Sequence, residues 1–130
     1  MVNRITEKRK RGFTLIELLV VLSIVALLST IAAPRYFQSL ELSKEAILAN
    51  NLKMTRETID RFYGDQGRYP NSLDELIERQ YLRNLPYDTI VESSANWIII
   101  PPRNNAEGQV FDIRSSATGL ASDGKAFQDM

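Results

Sequence analysis

Glu17 is the only formal charge between Phe13 and Ala33, and Gly12-Phe13 lies just ahead of it. A carboxylate inside an apolar helical run costs a few kcal/mol to place in lipid, so its retention calls for a partner. The run itself offers no cation. A cut between Gly12 and Phe13 would create one. The new ammonium on Phe13 falls four residues before Glu17, a spacing that puts both on one helix face. The chemistry on offer, were the chain cut there, is charge pairing at Glu17.

Two flanking features must position this pair. Arg4, Lys8, Arg9, Lys10 and Arg11 form a basic flank, and Phe13 to Ala33 forms an apolar run. About 20 apolar residues suffice to cross the hydrocarbon core as a helix. The basic flank predicts that the N-terminal end stays in the cytoplasm and the rest is exported. An ordinary secretory signal would have a shorter apolar region and a small-residue cleavage site. Here Ala32-Ala33 runs into Pro34 and then into a strongly helical segment. A plain uncut anchor leaves Glu17 without a purpose.

Arg11-Gly12-Phe13-Thr14-Leu15-Ile16-Glu17-Leu18-Leu19-Val20-Val21 resembles the type III signal of type IV pilins and type II secretion pseudopilins. The resemblance implies cleavage after Gly12 by a prepilin peptidase and N-methylation of Phe13 by the same enzyme. It further implies an assembly role for Glu17, paired with the N-terminus of a neighbouring subunit. It covers residues 11 to 34 closely and the remainder loosely.

Charge and composition narrow the alternatives. The first 12 residues hold five basic and one acidic side chain, a net +4, and the remainder nets −4. A mildly acidic mature chain argues against nucleic acid as a partner, because phosphate binding needs clustered Lys and Arg. The chain has no cysteine and no histidine. Thiol catalysis, cysteine-based zinc sites and the commonest general base are thereby absent. No nucleophile motif is visible, and the expectation is that the chain is not an enzyme. At 130 residues it has room for one small domain beyond the apolar segment.

Beyond Pro34, which should kink or loosen a helix, Leu48, Leu52, Thr55, Ile59 and Phe62 recur at steps of four and three. That is an amphipathic stripe, best read as core. Lys53, Glu57 and Arg61 follow at four-residue steps on another face. The expected organisation is a leader over 1–12, a long helix over 13–64 with 13–33 spanning the membrane, and a periplasmic globular domain over 65–130. Gly64 and Gly67 offer the helix an end. Ser72 with Glu75 reads as a capping box for a short helix over 73–80. Trp97 to Ile100 and Gln109 to Arg114 read as strands, Asn104 to Gly108 as a turn, and Lys125 to Gln128 as a brief third strand. The fold class is therefore α+β: a long N-terminal helix packed on a small antiparallel sheet, pilin-like. Arg68-Tyr69-Pro70 through Leu85-Pro86-Tyr87-Asp88 adds a looser resemblance to the pseudopilin globular domain.

The segment Ser115 to Gly124 resembles the loop in which major pseudopilins hold a structural calcium ion. By that resemblance Asp123 and Asp129 would supply carboxylates. Thr118 stands where the family has an aspartate, and the acidic run is reduced to Asp123-Gly124, which alone would make a turn. Asp88-Thr89 suits a turn cap, and Tyr81, Tyr87 and Trp97 suit core or subunit packing.

The resemblance implies a homopolymeric subunit of a type II secretion pseudopilus. Its partners would be a prepilin peptidase, minor pseudopilins and an inner-membrane assembly platform. The subunit would be a single-pass inner-membrane protein with a cytoplasmic N-terminus and a periplasmic domain and filament. A type IV pilus or DNA-uptake subunit is the runner-up, the former weakened by the missing cysteine pair. An uncut anchor carrying a periplasmic binding module is the reading from another class.

Overall fold

The computed structural model describes residues 10–130. Arg4, Lys8 and Arg9 of the basic flank, and most of the expected leader, lie outside the described residues. The described chain divides into two compact units, one ending at Gln38 and the other covering Ser39–Met130.

Helix α1 runs Leu15–Gln66 and contributes to both units. Thr14 starts it. Its Oγ1 accepts from the Glu17 amide at 3.2 Å and its carbonyl from Leu18 at 3.1 Å, so two orphan donors of the first turn are satisfied. The helix is continuous through Pro34 and passes Gly64 without stopping. It ends where Gly67 takes φ +69°, with its N–H donating to the Tyr63 carbonyl at 2.9 Å. A residue without Cβ adopts that left-handed conformation freely, so Gly67 suits the stop.

The second unit is built on the predicted stripe. Leu48, Leu52, Thr55, Ile59 and Phe62 are all buried, and they pack with Leu73, Leu76, Trp97, Val110, Ile113, Ala117, Ala121 and Phe127. The buried hydroxyls of Thr55 and Thr58 donate to the Asn51 and Met54 carbonyls at 2.8 Å, so neither is left unpaired. Phe62 meets the Tyr81 ring edge-on at 5.1 Å, and the Arg68 guanidinium lies 5.2 Å from the Phe62 centroid.

The sheet has two antiparallel strands, β1 (Ile98–Ile100) and β2 (Asp112–Arg114), in register Ile99 opposite Ile113. Its second strand is shorter than the expected Gln109 to Arg114. The amides of Gln109 and Val110 both donate to the Pro70 carbonyl, at 3.0 and 2.9 Å, which takes them away from the sheet. Gly108 makes that approach feasible: it sits at φ +106°, and a Cβ there would collide with the Tyr69 carbonyl oxygen. Asn104 and Asn105 both adopt positive φ, as the predicted turn requires. The expected third strand is a 3₁₀ turn instead, Phe127–Asp129, preceded by one isolated bridge between Leu120 and Ala126. A single residue of that segment, Phe127, is buried, and a tight turn buries one side chain as well as a strand does.

Helix α2 spans Leu73–Glu78, two residues short of the expectation. Gln80 takes φ +65°, while Tyr81 N–H reaches the Leu76 carbonyl at 2.8 Å and Gln80 N–H the Ile77 carbonyl at 3.0 Å. This is a Schellman end with glutamine in the glycine position. At the other end Ser72 Oγ accepts from the Glu75 amide at 3.2 Å. The returning arm differs from a standard capping box, since Glu75 Oε2 accepts from Asn71 N–H at 2.7 Å.

The Glu75 carboxylate also pairs with the Arg68 guanidinium and is 13% exposed. That pairing holds its carboxyl below the ordinary carboxylate range. Burial opposes the shift, and the Asn71 amide supports it. A carboxyl with a lowered folded-state pKa contributes stability above its unfolded pKa and loses it as pH falls through the folded one. Thermal melts followed by Trp97 fluorescence should therefore fall in midpoint on acidification below the ordinary carboxylate range. Glu75→Gln should flatten that acid limb, and an unchanged limb in the variant would contradict the assignment.

Candidate functional site

Arg11, Gly12, Phe13 and Glu17 line one shallow, open depression of about 320 Å³ at the head of α1. The Gly12-Phe13 bond lies outside any regular element just before the helix, and Glu17 lies in the helix's first turn. All of these residues are exposed, Phe13 by 84%. An acidic side chain in the first turn is favoured by the helix macrodipole, so Glu17 also has a local role. The sequence reading missed Thr14. Its signal was present, because Thr14 with Glu17 three later is itself a capping-box pattern.

From Leu15 onward the first unit presents an apolar surface with no cover, including Leu15 (89%), Ile16, Leu19, Leu27 and Leu28. A contiguous exposed apolar surface of this kind marks contact with membrane or protein. The helix is long and apolar enough to cross a bilayer. Its hydroxyls do not interrupt it: Ser23, Ser29 and Thr30 donate to the carbonyls of Leu19, Val25 and Ala26 at 2.8, 2.7 and 2.9 Å.

The second candidate is the loop with Asp123 and Asp129. It is closed by backbone bonds from Ala121 N–H to the Lys125 carbonyl at 2.8 Å and from Gly124 N–H to the Ala121 carbonyl at 2.9 Å. Asp123 Oδ1 accepts from Lys125 N–H at 2.9 Å, and Gly124 sits at φ +83°, so Asp123-Gly124 makes the turn. Asp123 shares a hollow with Arg56 and Lys125, and Asp129 lies exposed in the 3₁₀ turn. No group of three or more Asp or Glu side chains able to hold a metal forms among the described residues. Calcium takes six to eight oxygens. Asp123 is committed to the turn beside Arg56 and Lys125, and the side chains here do not converge on a common centre as that demand requires.

Two further polar clusters were invisible as clusters in the sequence. Asp88, 3% exposed, accepts from Ile90 N–H (2.9 Å) and Val91 N–H (3.1 Å), and from the buried Ser115 hydroxyl. The turn cap at Asp88-Thr89 was expected, but its link to Ser115 was not. Arg56 donates from Nε to Asp112 Oδ1 at 2.7 Å, and from Nη2 to the Ile113 and Met130 carbonyls at 3.0 and 2.6 Å. It ties α1 to β2 and the final turn. Trp97 is buried with Nε1 donating to the Pro86 carbonyl at 2.9 Å, whereas Tyr87 is 45% exposed.

Residues 8–33 match the prokaryotic N-terminal methylation motif. The chain is 35% identical over 68 residues to the type IV major pilin protein PilA of Myxococcus xanthus, a match covering 52% of this chain and 31% of that protein. It is 25% identical over 121 residues to the type II secretion system core protein G of Dickeya chrysanthemi, covering 81% and 77% of the two chains. The corresponding protein of Klebsiella pneumoniae is 24% identical over 122 residues, covering 82% and 85%. No solved structure gives a significant match. The methylation motif sits on the exposed head of α1, and the likeness to core proteins G extends through the small α+β unit. The chain thus carries the N-terminal methylation motif and is similar to a type IV major pilin and to type II secretion core proteins G.

Proposed function

We propose that the chain is a structural subunit of a pilus-like filament, made as a precursor that a prepilin peptidase cuts between Gly12 and Phe13. The new amine on Phe13 is methylated, and Glu17 is neutralised by the Phe13 ammonium of a neighbouring copy. Before assembly α1 rests in the inner membrane, with the basic flank in the cytoplasm and the Ser39–Met130 unit in the periplasm. Assembly exchanges lipid for neighbouring apolar helices, so the same exposed surface serves both states. The subunit acts through packing and charge register and carries out no catalysis. Its setting is the pseudopilus of a type II secretion system, where minor pseudopilins and an inner-membrane platform are its partners. A type IV pilus is the second reading, favoured by the 35% identity to PilA over 68 residues.

The observation that carries the proposal is the grouping of Arg11, Gly12, Phe13 and Glu17 around one depression at the head of an exposed apolar helix. The intact mass and N-terminal residue of the protein from its host membranes test it. The expected product begins at N-methylated Phe13. A chain still carrying Met1 to Gly12 would favour the uncut anchor and remove the partner assigned to Glu17.

A further inference from the structure

Glu45, on α1 at the start of the second unit, receives both donors of a distant residue. Ser122 N–H donates to its Oε1 at 3.0 Å, and the Ser122 hydroxyl to its Oε2 at 2.6 Å. One residue earlier, the Thr89 hydroxyl donates to the Lys44 carbonyl at 2.6 Å, while Lys44 Nζ lies 3.9 Å from Glu92. Two loops thus grip the helix at adjacent residues.

The polarity of the second grip is informative. A loop that coordinates a cation turns carbonyl and carboxylate oxygens toward a common centre. This loop turns an N–H and an O–H outward to an anion. Its own carboxylate, Asp123, is directed to the Lys125 amide, and Lys125 brings a cation to the same turn. We propose that Glu45 is the internal anchor of the Gly119–Phe127 loop, and that the loop keeps its fold without any divalent cation. The inference concerns a different surface from the head of α1 and does not depend on filament assembly.

Trypsin cleavage after Lys125 reads the loop directly. Cleavage of a transiently opened segment follows its open population. The full chain in detergent micelles is digested with excess calcium chloride or with excess EDTA, and cleavage of the Lys125-Ala126 bond is followed by mass spectrometry. The wild-type rate should be the same in both conditions. Glu45→Ala should raise it by about fivefold, the factor that a modest loss of local stability produces, in calcium and EDTA alike. Trp97 emission checks that the unit remains folded. Should Glu45→Ala unfold it, Ser122→Ala removes one of the two donors and must accelerate cleavage in the same direction. Strong protection of the wild type by calcium would overturn the proposal, as would a folded Glu45→Ala cut no faster than wild type.

Discussion

Glu17→Ala should reach the membrane in wild-type amount and form no filament. Insertion is not impaired, because removing a carboxylate from an apolar helix relieves a cost of a few kcal/mol. The helix start also survives, since the bond from residue 17 to Thr14 Oγ1 uses the backbone N–H, which alanine keeps. Assembly is another matter. A Phe13 ammonium packed among apolar helices would lose its counter-charge, and removing one partner of a buried pair costs about 3–5 kcal/mol. Each subunit addition would then weaken by roughly a hundredfold or more. The measurement is the fraction of protein in sheared or pelleted filaments, beside its abundance in the membrane fraction. Wild-type filament yield in the variant would sink the pairing of Glu17 with a neighbour.

The second large effect is on the folded unit. Phe62→Ala should destabilise it by about 3–5 kcal/mol, a large share of the about 5–15 kcal/mol available to a small domain. Phe62 is fully buried, lies under the Arg68 guanidinium and abuts the Tyr81 ring. Its removal leaves a cavity between α1 and the Arg68–Leu82 stretch, which Arg68 and Glu75 hold in place by their own pairing. Urea unfolding monitored by Trp97 fluorescence should show a midpoint far below wild type with an unchanged slope. Loss of less than about 1 kcal/mol would mean that the α2 region collapses onto α1 without strain.

The long helix and its buried stripe were legible because both are periodic and local. Leu48, Leu52, Thr55, Ile59 and Phe62 repeat with the helix, and no distant contact is needed to read them. Ser72 and Glu75 announced α2 for the same reason. What escaped was set by contacts between residues far apart in the chain. The Pro70 carbonyl draws off Gln109 and Val110 and shortens β2. Glu45 meets Ser122 across 77 positions. Lys125 to Gln128 was expected as a strand, but the backbone there closes a turn on itself. The head of the helix carries a pattern that is also local, since glycine, phenylalanine and glutamate stand at fixed spacing. The cap supplied by Thr14 belongs to the same stretch and was overlooked.

Ser23, Ser29 and Thr30 direct their hydroxyls to carbonyls of their own helix. Along its apolar length α1 therefore offers a neighbour almost nothing directional. Such a surface slides: adjacent helices displaced by one turn would bury nearly the same area. Under the proposed pairing, position along the filament axis would be encoded at one end only, with Phe13 and Glu17 as a latch on an otherwise featureless rail. Such a latch would let subunits move past one another until the charges met, and would then stop them.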